Sequence, residues 1–171
     1  SDKNTLIYTD SAQKQLGFVD ITTSNNPTPD GTFALNGEPT SVAVKDSYAL
    51  AAVNTSEDFV NVSGELAVIH ISNRTLISTT DLGGQPDSIS VSPDGQYALV
   101  VIENERDEDL DDGTPPQLPA GKLVIIDLKG DPDEWTTSNV NLTNIADLYA
   151  ADPEPEYVDI NTDNIANICY C

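Results

Sequence analysis

The sequence predicts an all-β fold, a partial β-propeller with two complete four-stranded blades flanked by two incomplete ones. Two observations carry that reading. Strand-sized segments recur in a fixed order along the chain, and the residues between them are turn formers. Three segments align on apolar runs: Leu16-Gly-Phe-Val-Asp-Ile21, Leu66-Ala-Val-Ile-His-Ile71 and Leu123-Val-Ile-Ile-Asp-Leu128. A second set aligns on a proline: Gly37-Glu-Pro-Thr-Ser-Val-Ala-Val44, Gly84-Gln-Pro-Asp-Ser-Ile-Ser-Val91 and Asp152-Pro-Glu-Pro-Glu-Tyr-Val-Asp-Ile160. A third set is Tyr48-Ala-Leu-Ala-Ala-Val-Asn54 and Tyr97-Ala-Leu-Val-Val-Ile-Glu103. Pro39 and Pro86 stand one period of about 40–50 residues apart, the repeat length of a propeller blade. The step to Pro155 is longer because of insertions.

The elements follow in order, with strands named a to d from the channel outward. A blade remnant over residues 5–36 has strands near 6–9, 16–21 and 32–35. Blade two spans 37–83 and blade three 84–143. A fourth blade begins over 152–170, with strands at 156–160 and 165–168. Turns are supplied by Pro93-Asp94-Gly95 and Asp30-Gly31. One helical candidate, 144–151, is too short to matter. The chain starts and stops inside blades and has no methionine, so the expectation is a piece of something longer.

Composition narrows the function. Twenty-nine acidic residues against seven basic ones leave a net charge of −22. Such a field repels a phosphate backbone, which excludes nucleic acid as a partner, and it disfavours an anionic membrane surface. It attracts cations. No apolar stretch approaches the ~20 residues of a membrane-spanning helix. Four Asn-x-Ser/Thr sequons, at Asn54, Asn61, Asn73 and Asn141, hint at secretion.

The stretch Val91-Ser-Pro-Asp-Gly-Gln-Tyr-Ala98 and the run Leu123-Val-Ile-Ile-Asp127 resemble the YVTN and LVIVD repeats of seven-bladed propellers. The proline segments, with Asp81-Leu-Gly-Gly-Gln-Pro-Asp-Ser88 and Glu103-Asn-Glu-Arg-Asp-Glu-Asp-Leu110, are similar to the secreted bacterial family named for an esterase-like activity of phytase. That resemblance covers about residues 8–166. It implies a secreted, extracellular or periplasmic propeller and, as an alternative to binding or scaffolding, a phytase-like hydrolase of phosphoesters or esters acting on a small phosphorylated substrate.

The acidic segment Glu103-Asn-Glu-Arg-Asp-Glu-Asp-Leu-Asp-Asp-Gly113 is the most unusual. Crowded carboxylates suit Ca²⁺, which takes 6–8 oxygens in irregular loops. Asp107, Asp109 and Asp111 have the opening spacing of an EF-hand, but Asp112 stands where its glycine belongs and Leu118 where its glutamate belongs. Two readings stay open, an irregular Ca²⁺ loop and a solvated acidic loop. For the first, Glu103, Glu105, Asp107 and Asp109 are the expected ligands, because they lie nearest the end of strand b. Asp111 and Asp112 are expected to be solvated, and Arg106 to pair with a neighbouring carboxylate. In an antiparallel a-b-c-d blade the b–c and d–a loops share a face. That face gathers Glu38, Glu57, Asp58, Asp152, Glu154 and Glu156 with the loop carboxylates. A protein partner is the other candidate for it.

Other residues offer less. His70, the only histidine, sits where its repeat equivalents are Asp20 and Asp127, which marks a structural slot in strand c. Neither a Ser-His-Asp set around another histidine nor a Gly-x-Ser-x-Gly elbow exists, so no catalytic residue is assigned. Trp135 either staples the c–d connection of blade three or stacks on a sugar. Cys169 and Cys171, at the edge of disulfide reach along one strand, are a metal or redox pair or two incidental thiols.

Overall fold

The computed structural model describes residues 4–145, 147 and 149–170. Among the described residues, thirteen strands form four antiparallel sheets. The first is β1 (Thr5–Asp10), β2 (Gln15–Asp20) and β3 (Thr28–Ala34), in that order. The second is β4 (Glu38–Lys45), β5 (Tyr48–Asn54), β6 (Gly64–His70) and β7 (Thr75–Asp81). The third repeats that order with β8 (Pro86–Val91), β9 (Tyr97–Ile102), β10 (Lys122–Asp127) and β11 (Thr136–Asn141). The fourth is the pair β12 (Pro155–Ile160) and β13 (Ala166–Tyr170). Two four-stranded blades therefore lie between two partial ones.

Burial explains why the middle strands read as continuous apolar runs. Their blades are covered on both faces, so both sets of alternating side chains need to be apolar. In β5, Ala49, Ala51 and Val53 pack toward the first blade with Leu16 and Phe18, whereas Leu50 and Ala52 pack toward the third with Ile89 and Val100. In β9, Val100 and Ile102 join that second core while Leu99 and Val101 turn to Val158 of the fourth blade. The outermost strands have one covered face at most. They are accordingly polar, and every residue of β11, Thr-Thr-Ser-Asn-Val-Asn, is exposed.

The proline positions are equivalent. Pro86 and Pro155 open their innermost strands and Pro39 is the second residue of its own, and each is followed by the same register shift against its partner strand. A proline lacks the N–H that a regular ladder needs, so it is tolerated at the first residues of a strand and at a bulge. Tyr48 and Tyr97 both begin the second strand of their blades.

Some expectations are corrected. Asp30-Gly31 lies inside β3 rather than in a turn; the pairing of β2 with β3 shifts between Gly17 and Val19, and Gly31 takes φ +86°. Only glycine enters that region without strain, which is why the pair mimics turn chemistry. The terminal strand also runs further than expected, with Cys169 paired to Tyr157 as an exposed free thiol. Cys171 lies outside the described residues, as do positions 146 and 148 of the helical candidate. His70 ends β6, edge-on to Tyr48 with ring centroids 5.6 Å apart, on the face opposite the acidic loops. Trp135 donates its indole N–H to the Gly130 carbonyl at 3.3 Å and packs on the core between blades two and three, as a staple does.

Candidate functional site

The b–c and d–a loops meet on one face, held there by backbone hydrogen bonds within and between blades. The Gly121 N–H donates to the Pro153 carbonyl at 3.1 Å, and the Glu103 N–H donates to the Gln85 carbonyl at 3.0 Å. Asn104 then turns the chain into the acidic insertion. It is buried, adopts φ +54°, accepts the Gln85 N–H at 2.8 Å and donates to the Pro119 carbonyl at 2.9 Å. One amide side chain thus ties the start of the insertion to its end and to the neighbouring linker.

Of the four expected ligands, the structure brings Glu103 and Glu105 into one group with Asp87, Glu154 and Glu156. The Glu103 carboxyl is pushed up from an ordinary 4.5 to about 7, first by burial and then by repulsion from Asp87, Glu156, Glu105 and Glu154. Asp87 is raised by burial and by Glu156 and Glu105. Glu154 is raised by burial, which outweighs the opposing pull of Arg106. Asp87 and Glu156 each follow the repeat proline by one residue, so the equivalent position on two adjacent innermost strands carries an acid. Sequence reasoning passed over Asp87, although the repeat alignment itself places it beside Glu156.

Asp107 and Asp109 stand elsewhere in the insertion. The Asp109 N–H donates to Asp107 Oδ1 at 2.9 Å, and Gln117 braces the turn by accepting the Asp107 N–H at 2.8 Å. Neither aspartate contributes to the repulsion around Glu103. The Asp111 side chain lies outside the described residues; Asp112 is exposed and takes φ +56° in the short 3₁₀ turn Asp111–Gly113. Among the described residues, no three Asp, Glu, His or Cys side chains already converge in a geometry that holds a metal ion.

Arg106 pairs as expected, with acids from the next linker rather than from its own loop. Its Nε donates to Asp152 Oδ2 at 3.1 Å, one terminal nitrogen to the Asp152 carbonyl at 2.8 Å and the other to Glu154 Oε2. The guanidinium also lies 4.8 Å from the Tyr149 ring centroid. Gln117 donates its backbone N–H to the same Asp152 oxygen at 2.8 Å. Two buried acceptors on this face, Asp152 Oδ1 and Gln85 Oε1, receive no hydrogen bond. Gln85 donates its side-chain N–H to Glu105 Oε2 at 3.4 Å.

A sequence profile described as the Choice-of-anchor I domain matches residues 1–167. No curated protein matches the chain. Among solved structures, hydrazine synthase of Kuenenia stuttgartiensis is similar at a TM-score of 0.65 and 20% identity, over 95% of this chain and 37% of that one. A protein of Lactobacillus plantarum is similar at 0.61 and 18%, over 96% and 44%. The β-propeller domain of Cps50 (Swd1) from Myceliophteria thermophila is similar at 0.57 and 8%, over 98% and 51%. The chain spans about half or less of the length of each. At these identities the likeness is one of fold, and the fold is a β-propeller. None of these matches carries the phytase-like resemblance.

Proposed function

The chain belongs to the Choice-of-anchor I domain family, and from that membership we propose that it is part of an extracellular, cell-surface β-propeller module that binds or scaffolds through its b–c and d–a loop face. The family's description supports a surface location. No helix among the described residues is long and apolar enough to cross a membrane. The finer part of the proposal is that the acidic face takes a divalent cation, Ca²⁺, through Glu103 and Glu105, with Asp87 and Glu156 beside them. Asp107 and Asp109 join as outer ligands of the insertion if the loop closes on the ion.

One observation carries the cation reading: Glu103 is half-buried among four carboxylates, with its own charge penalised to about 7. A hard cation removes that penalty by supplying the missing positive charge. Only oxygen donors are on offer, which favours Ca²⁺ over Zn²⁺, and the loop geometry is irregular, which disfavours the strict octahedron of Mg²⁺. Thermal unfolding during a Ca²⁺ titration tests this. A ligand at ~100 times its Kd adds about 2.7 kcal/mol of stability. The shift should vanish when Glu103→Gln and Glu105→Gln are combined; no shift at millimolar Ca²⁺ removes the cation from the proposal.

A hydrolase of the phytase type is the second reading. It is favoured by the same Glu103, since a carboxyl near 7 suits general acid–base work. Binding is the preferred reading because the family's description supports it and the one histidine, His70, lies on the face opposite Glu103.

A further inference from the structure

The loop face carries a second feature, which adjoins the Glu103 group through Gln85. Where loops of the first three blades meet lies a cavity of about 430 Å³, bounded by Lys14, Glu38, Asn54, Glu57, Phe59 and Gln85. Its residues come from four loops of the same face: the β1–β2 turn, the two linkers entering β4 and β8, and the β5–β6 loop.

Three properties of the lining point to one ligand chemistry. Glu38, Glu57 and Asp58 are exposed carboxylates against the one ammonium of Lys14 in the described lining, so the cavity is net acidic. Phe59 is 47% exposed in the lining, and an aromatic face attracts a cation. Gln85 is buried, and its Oε1 receives no hydrogen bond. A buried acceptor without a donor is costly, and a ligand N–H relieves it. Charge, π face and missing donor all describe an alkylammonium group rather than a bare metal ion, which the scattered carboxylates do not converge to ligate.

The rim is also held in one shape before any ligand arrives. Thr55 and Ser63 share a hydroxyl hydrogen bond of 2.9 Å, and the Ser63 N–H donates to Ser56 Oγ at 2.9 Å. Asp58 Oδ1 accepts the Val60 N–H at 2.8 Å and the Asn61 N–H at 2.6 Å. These bonds to the ionised form hold the Asp58 carboxyl below its ordinary range. A loop fixed this way presents Phe59 at low entropic cost.

We propose that this cavity binds an alkylammonium group, supplied by a free polyamine or by a lysine side chain of a peptide. The proposal rests on the chain being a binding module; it uses none of the proposed calcium ligands, although Gln85 touches Glu105. Calorimetric titration of the chain at about 150 mM salt, where charges are screened beyond about 8 Å, tests it. One arm uses spermidine, the other an end-blocked Gly-Lys-Gly peptide. The expected result is saturable one-site binding in at least one arm, and the tighter arm identifies the source. Phe59→Ala and Glu57→Gln should each weaken it about two- to fivefold with unchanged melting, since both side chains are exposed. Asp133→Asn makes the same charge change on the opposite face and should leave binding unaltered. No saturable binding of either probe to about 10 mM, or equal weakening by Asp133→Asn, overturns the proposal. A calcium shift that persists in that case leaves the cation reading standing.

Discussion

Asp152 is the most deeply buried acid on the loop face, and its one partnered carboxylate oxygen serves two donors, Arg106 Nε and the Gln117 N–H. Such a charge is tolerable only while paired, because a buried ion left alone keeps its full desolvation penalty. Arg106→Ala should therefore cost about 3–5 kcal/mol, read from urea unfolding. A loss under about 1 kcal/mol would place Arg106 among ordinary surface ion pairs. Glu103 behaves in the opposite sense. Its folded-state value lies above the ordinary 4.5, so the stability associated with its protonated form is full below about 4.5 and is lost as pH rises through about 7. At this scale the sequence placed Glu103 and Glu105 on the loop face and anticipated the pairing of Arg106 with a carboxylate. It did not reveal that the partners of Arg106 are Asp152 and Glu154, because a long insertion separates them and spacing carries no distance across it.

Adjacent innermost strands are joined by a device that repeats with the blades. Ser41 Oγ accepts the Ile89 N–H at 3.3 Å, and Ser88 Oγ accepts the Val158 N–H at 3.4 Å. Both serines stand two residues after the repeat proline, where the bulge interrupts the regular ladder. A glycine repeats as well. Gly64 and Gly121 lie at or just before the start of β6 and β10, and a Cβ on either would collide with the proline opening the next blade, Pro86 or Pro155. Gly121→Ala should therefore separate blades three and four, costing about 1–3 kcal/mol by overpacking. Hydrogen exchange of the Val158 amide should quicken with it; unchanged exchange and melting would show that the neighbouring proline yields freely. The strands were readable because β-branched runs and prolines recur in register. The serine and glycine devices were visible as repeated letters, but their purpose was not, since each acts on the following blade rather than its own.

Three apolar cores between blades hold the molecule together, while a net charge of −22 opposes its compaction. The two end blades leave apolar side chains uncovered, Leu6 and Tyr8 on one and Tyr157 and Ile165 on the other, each between 44% and 58% exposed. Self-association of the isolated chain should follow and should strengthen with salt, as screening weakens repulsion. Sedimentation across concentration checks this, and a clean monomer at every concentration and salt would contradict it. The β-propeller architecture was legible as a whole because its repeat unit is a blade. The loop face was legible only as topology, because which acids converge depends on side-chain positions that blade order leaves open. This face gathers partly desolvated carboxylates around Glu103, and the proposed cation is read most directly there. NMR titration of the Glu103 side-chain carboxyl carbon, in chelator and again in calcium, tests it most directly. The account predicts a midpoint near 7 in chelator and one below 4.5 in calcium. A midpoint of about 4.5 under both conditions would contradict it.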